Sequence, residues 1–166
     1  MEIINAVVGI IQLVIAIILA VAALYIGFSV LGKITKGIDE EKEIAKGNTA
    51  VGILVASVFI AIGIVVQSGV SGISMGISQA LNVGIMSSLG ITILVVSVLQ
   101  LLLGIVLAIV AIYLALNILD KLTKGIDEFA ELKKGNVAVA LEMAGVIITV
   151  AIIIQSGVMG ITAALI

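Results

Sequence analysis

The chain has 166 residues, 63% of them hydrophobic and 11% charged, with a formal net charge of −2. Soluble domains hold roughly 45–50% apolar and about 25% charged residues, so this composition leaves too little polar surface for a water-facing globule. Cys and His are both absent, which excludes disulfides, thiol catalysis and Cys- or His-based metal sites.

Apolar runs of about 20 residues or more read as membrane spans. The first covers residues 3–32 and follows Glu2. Its length exceeds the ~7–15 apolar residues of a signal peptide, so no cleaved leader is expected. About 30 helical residues reach ~45 Å against a hydrocarbon core of ~30 Å, and the excess must tilt or protrude. Gly9, Ala16, Ala20, Ala23 and Gly27 mark a small-residue face at steps of three, four and seven. That spacing suits a helix seam, since close backbone approach holds membrane helices together.

A charged loop, 33–48, follows. Gly37 is expected to break the incoming helix, Asp39 to cap a short one, and Gly47 to end it before Asn48 caps the second span. The second span occupies about 49–72. Gln67 lies on it, with Ser71, Ser74 and Ser78 on the same side. Gly72 and Gly76 give a weaker second seam at Gly-x-x-x-Gly spacing. The outer connection, 79–88, carries no charge, and a turn is expected near 82–84.

The third span, about 91–119, has small residues at Ser97, Gly104, Ala108, Ala111 and Ala115, in the register of those on the first. The first and third spans are therefore expected to form the inner seam, flanked by the second and fourth. A second charged loop, 120–136, leads into the fourth span, 137–166, which carries Glu142.

The two halves share their wording. Lys-Ile-Thr-Lys-Gly-Ile-Asp-Glu at 33–40 returns as Lys-Leu-Thr-Lys-Gly-Ile-Asp-Glu at 121–128, and Gln-Ser-Gly-Val at 67–70 returns at 155–158. The fold expected is all-α: a polytopic membrane protein of four transmembrane helices built from two tandem two-helix repeats. Repeat one is 1–78 and repeat two 89–166. All eight basic residues are Lys and lie in the two loops. Lys-rich short loops stay in the cytosol, which places both termini outside and makes the repeats parallel.

Several polar residues invite two readings. Gln12, Gln67, Gln100 and Gln155 count to one level, ~28–31 Å from the loops. They are either interhelical amide glue or a polar collar at the mouth of a path. Glu142 lies ~9 Å into its span, near the depth of Tyr25 and Tyr113 at ~12 Å. A tyrosine hydroxyl is therefore placed to donate to it. Glu142 is either a hydrogen-bonded structural group or a proton or cation site. The loops are either solvated connectors or a docking surface, with Asp39, Glu40, Asp127 and Glu128 as contact candidates. No nucleophile stands with a base, and no phosphate loop or basic stripe is present, so the expectation is a non-enzymatic protein with no cofactor and no nucleic-acid partner.

The stretch Lys-Ile-Thr-x-x-x-Asp-Glu, then Ile-x-Lys-Gly-Asn-Thr-Ala, at 33–50, and its copy at 121–138, resembles the YjfL-like membrane proteins, the domain-of-unknown-function family numbered 350. The resemblance covers nearly the whole chain. It implies a four-span inner-membrane protein and a PspA-like cytosolic partner of the membrane-stress type, and it carries over no catalytic residue. The reading favoured is an oligomeric plasma-membrane scaffold or anchor. The alternative is an oligomeric ion channel or transporter lined by Glu142 and the glutamines.

Overall fold

A computed structural model describes residues 2–35, 37–123 and 125–165; Lys36 and Lys124 of the charged loops lie outside the described residues. The elements run α1 (Glu2–Ile34), α2 (Glu40–Ala45), α3 (Thr49–Val83), α4 (Ser88–Leu122), α5 (Glu128–Lys133) and α6 (Val137–Leu165). Four of them, α1, α3, α4 and α6, are long and apolar enough to cross a membrane, and the chain is a multi-pass membrane protein. At 35 residues, α3 and α4 each reach ~52 Å, well beyond a ~30 Å hydrocarbon core. The outer connection is correspondingly tight. Helix α3 continues to Val83, Gly84 caps it, and Ser87 Oγ accepts from Gly90 N at 3.0 Å to start α4.

Helix α3 is the centre of the bundle. Its buried side runs from Ala50 through Leu54, Ala61 and Val65 to Gly76 and Ala80. It packs most extensively on α6, then on α4, and less on α1. Helices α3 and α6 run in the same direction. Asn48 meets the Leu132 carbonyl just ahead of α6, and Ser68 Oγ donates to the Gln155 carbonyl at 3.4 Å. Both charged connectors therefore lie at one end of the bundle.

This arrangement corrects the expected seam. Helices α1 and α4 barely touch, and the second and fourth spans, not the first and third, form the inner pair. The small residues do allow close approach, but to different partners. A Cβ on Gly27 would overlap Ile62 of α3, and one on Gly104 would meet Val158 of α6. Ser97 fills the space that a side chain at Gly76 would need, and Leu101 fills that at Gly69. In lipid a small residue permits a contact without choosing its partner. Between α1 and α4 the small side chains leave an apolar cavity of about 30 Å³, lined by Ala23, Gly27, Ile62, Val65, Ala108 and Ile112. Helix α1 is held at the edge of the bundle through α3, with the Phe28 and Phe59 rings 5.9 Å apart at 41°.

Candidate functional site

The polar chemistry of the chain is concentrated in the two connectors. In the first, Gly37 takes φ +82° and turns the chain out of α1. The Asp39 side chain accepts from the Lys42 N–H at 3.1 Å, capping α2, and pairs with Lys42 Nζ at 2.6 Å. Both bonds hold the Asp39 carboxyl below its ordinary range, and the same pairing raises Lys42. Glu43 accepts from Lys46 Nζ at 2.8 Å and from Asn48 Nδ2 at 3.0 Å, and these donors, Lys46 first, keep it ionised. Asn48 Oδ1 then accepts from Val51 N at 3.2 Å and starts α3.

The second connector repeats these bonds except the Asp39–Lys42 pair, since Ala130 stands in the place of Lys42. Asp127 caps α5 through Ala130 N at 3.0 Å. Glu131 accepts from Asn136 Nδ2 at 2.8 Å and Lys134 Nζ at 2.7 Å, which lowers Glu131 and raises Lys134. Asn136 caps α6 through Ala138 N at 3.1 Å. Among the described residues Asn48 joins the connectors: its Nδ2 donates to the Leu132 carbonyl at 3.0 Å and approaches that of Lys133 at 3.4 Å.

Glu40 and Glu128 are not the outward contacts expected of them. They are 8% and 1% exposed, folded back against the ends of α1 and α4, where they bond the hydroxyls of Thr35 and Thr123. The motif Thr-Lys-Gly-Ile-Asp-Glu thus encodes a closed turn. Asp caps the short helix and Glu ties it to the long helix before it. Thr123 Oγ1 also lies 2.8 Å from the Leu119 carbonyl, so its one proton faces two acceptors. The Oε2 of Glu128 is fully buried and accepts from no N–H or O–H. Asp120, at the end of α4, adds its negative charge to the surroundings of Glu128. Burial, then Asp120, then Glu142 push the Glu128 carboxyl above its ordinary value of 4.5.

The intramembrane candidates do not converge. Tyr25 and Tyr113 are 76% and 46% exposed, with their rings turned outward, and neither hydroxyl reaches Glu142. Glu142 is itself exposed, and the group it acts on is Glu128. The four glutamines form no single ring. Gln12 lies with Ser74, Ser78 and Gln79 along a groove of about 330 Å³, further out than Gln67, which is exposed. Gln155 is half-buried, and its backbone carbonyl is what Ser68 uses. Gln100 is buried beside Gly104 and Val158, and neither atom of its amide has a partner.

Asp120 is the residue that reading the chain for motifs passes over. The available signal is the copy itself, because Asp120 stands where the first half has Gly32. Among the described residues no group of acidic side chains is arranged to hold a metal ion.

The family described as Domain of Unknown Function (DUF350) matches residues 5–103 and, a second time, 94–166. No curated protein and no solved structure is significantly similar to the chain. With a match running through all four long helices and both connectors, the chain belongs to the DUF350 family.

Proposed function

We propose that the protein is a non-enzymatic membrane scaffold built from two tandem, parallel helical hairpins, and that its two connectors act as one docking surface for a cytosolic partner. The observation that carries this reading is the Asn48–Leu132 bond, which joins the connectors into one polar platform at one end of the bundle. Inside that platform the buried polar groups are largely used up by caps and turns. Asp39, Glu41, Lys42, Asp127 and Lys133 remain turned outward. The Lys content of the loops supports a cytosolic platform in the plasma membrane, with both termini outside. The two successive family matches support the duplication, whose pseudo-two-fold axis would then pass between α3 and α6. A homo-oligomer fits the broad apolar flank of α1.

The partner implied by the family resemblance is a PspA-like membrane-stress protein. Asp39→Asn with Asp127→Asn tests this, because Asn caps a helix about as well as Asp while removing the charge. Co-purification of the partner should fall in the double variant. Recovery equal to that of the parent would sink the reading.

A second reading, an oligomeric ion channel or transporter, draws on one observation: the unpartnered amide of Gln100 between α4 and α6. It requires ion flux in liposomes that declines in Gln100→Leu. Parent protein no leakier than empty liposomes would rule it out.

A further inference from the structure

The two halves of the chain meet through unlike faces. Leu101 of α4 fills the space over Gly69 of α3, Ser68 Oγ donates to the Gln155 carbonyl, and Asn48 Nδ2 donates to that of Leu132. A strict two-fold between α3 and α6 would make each of these contacts twice. Among the described residues none is made twice. The copy of Gly69 is Gly157, and a Cβ there would meet nothing described within 4 Å. The copy of Leu101 is Leu13, 60% exposed where Leu101 is 1%. Ser156, the copy of Ser68, turns back to the Ile152 carbonyl of its own helix at 3.1 Å. Asn136 bonds Glu131 and leaves Ile44, the exposed copy of Leu132, alone.

These unused copies sort onto two separate surfaces. Gly157 and Ser156 lie on one side of α6 with Ile153, which is 65% exposed where its copy Val65 is 1%. Leu13 of α1, Gln67 of α3 and Ile44 of α2 belong to the other. Helix α1 makes no contact with α6 comparable to that of α4 with α3, so the two surfaces do not meet within one chain. Each carries the half of a contact that the other lacks, and the residue types are kept: Gly for Gly, both Leu, Ser for Ser, Asn for Asn. Acyl chains suit neither surface. Glu142, Thr149, Ile153 and Ser156 follow at steps of seven, four and three, so the open side of α6 carries them all, each exposed. Gln67 is exposed on the opposite surface. Ionisable side chains within a span face protein or a water-filled cavity, because a carboxylate turned to lipid is costly.

We propose that copies of the chain join head to tail in the bilayer, the open side of α6 receiving α1 of the next copy as α3 receives α4. Leu13 of that copy then lies over Gly157, Ser156 Oγ reaches its Gln67 carbonyl, and Asn136 Nδ2 reaches its Ile44 carbonyl. Ile44 enters the groove of about 330 Å³ lined by Ile126, Ala130, Asn136 and Val139. At one position the copies differ in kind. Glu41 stands where the buried Phe129 does, so the contacts within the bilayer carry the joint more than the connectors. Because unlike faces meet, each added copy offers a fresh face, and association continues until a ring closes. The inference rests on the duplication and the homo-oligomer proposed above and is independent of partner recruitment.

The chain has no Cys, so introduced cysteines report the joint. A Cβ on Gly69 would lie 3.1 Å from the Leu101 Cβ, and the same spacing across copies brings Gly157→Cys and Leu13→Cys close to disulfide geometry. Oxidised membranes that hold Leu13→Cys chains together with Gly157→Cys chains should yield a cross-linked dimer. The double variant should yield a ladder, and Leu13→Cys alone should not pair with itself. Gly157→Leu should reduce the assembly in nanodiscs to the mass of one chain with helix content unchanged, since that side is open within the chain. No dimer from the mixed chains, a double variant cross-linked only within itself, Leu13→Cys chains that pair with each other as readily, or a Gly157→Leu assembly as large as the parent's would overturn the proposal. A monomeric parent removes the homo-oligomer altogether, whereas an assembled parent without the mixed cross-link removes this joint alone.

Discussion

Asn48 Nδ2 donates to the Leu132 carbonyl at 3.0 Å, so one amide at the start of α3 also holds the end of α5. Its copy, Asn136, bonds Glu131 and caps α6. Asn48→Ala should therefore cost more than Asn136→Ala. Loss of a cap is worth about 0.5–2 kcal/mol, and the extra bond adds about 0.5–1.5 kcal/mol. Unfolding of the two variants in detergent compares them. Equal losses would show that the link between connectors contributes nothing.

Helix contacts in lipid depend on fit, and the glycines predict where a methyl group is tolerated. Gly69→Ala puts a Cβ into Leu101, and Gly76→Ala puts one into Ser97. Each should destabilise by about 1–3 kcal/mol, the usual cost of overpacking. Gly9 has nothing within 4 Å, so Gly9→Ala should be neutral or slightly stabilising. Thermal unfolding of the three variants separates the outcomes. A Gly9→Ala loss as large as that of Gly69→Ala would show that the outer half of α1 has a partner.

Gln100 should be better replaced than kept, as far as stability goes. A buried amide with no partner costs about 1–3 kcal/mol, and Gln100→Leu removes that penalty at similar volume. The variant is expected to resist denaturant better than the parent. A less stable Gln100→Leu would mean that something satisfies the amide in the membrane.

The connectors should respond differently to pH. Asp39, Glu43 and Glu131 have lowered carboxyl pKa values, from ordinary values of 3.8 for Asp and 4.5 for Glu. Their contribution is complete above those values and is lost as pH falls through the lowered ones. Glu128 is raised above 4.5, so its protonated form favours the folded state, and stability declines as pH climbs from 4.5 through the raised value. Amide protection in 39–48 should therefore weaken in acid and again only in strong alkali, where Lys42, raised above 10.5, loses its proton. In 127–136 it should weaken in acid and also towards alkaline pH. Hydrogen exchange across a pH series checks both limbs, and a second connector insensitive to alkali would contradict the second.

Much of this is legible in the sequence, for reasons that also mark its limits. The four spans follow from apolar runs whose length has one reading in lipid. The caps at Asp39, Asp127, Asn48 and Asn136 follow from local bonds that a few neighbouring residues complete among themselves. Which spans touch is not local. Hydropathy cannot separate a lipid-facing Ile from a buried one, and Ala23 or Gly104 allows approach without naming what approaches. Counting depth along separate helices also sets Gln12 level with Gln67. The α1–α3 packing instead carries it out to Ser74 and Gln79. Glu40 and Glu128 read as surface acids because nothing in their spacing says that the turn folds them back onto Thr35 and Thr123.

The central position of α3 has a consequence for assembly. Its widest contact is with α6, which the ribosome makes later. Until α6 arrives, α3 can hold α1 and α4 alone among the long helices, and the side of α3 that carries Ser68 stays bathed in lipid tails. Biogenesis therefore passes through a three-helix stage that is already inserted but still lacks its interior. Such an intermediate is where a membrane chaperone would find the nascent protein.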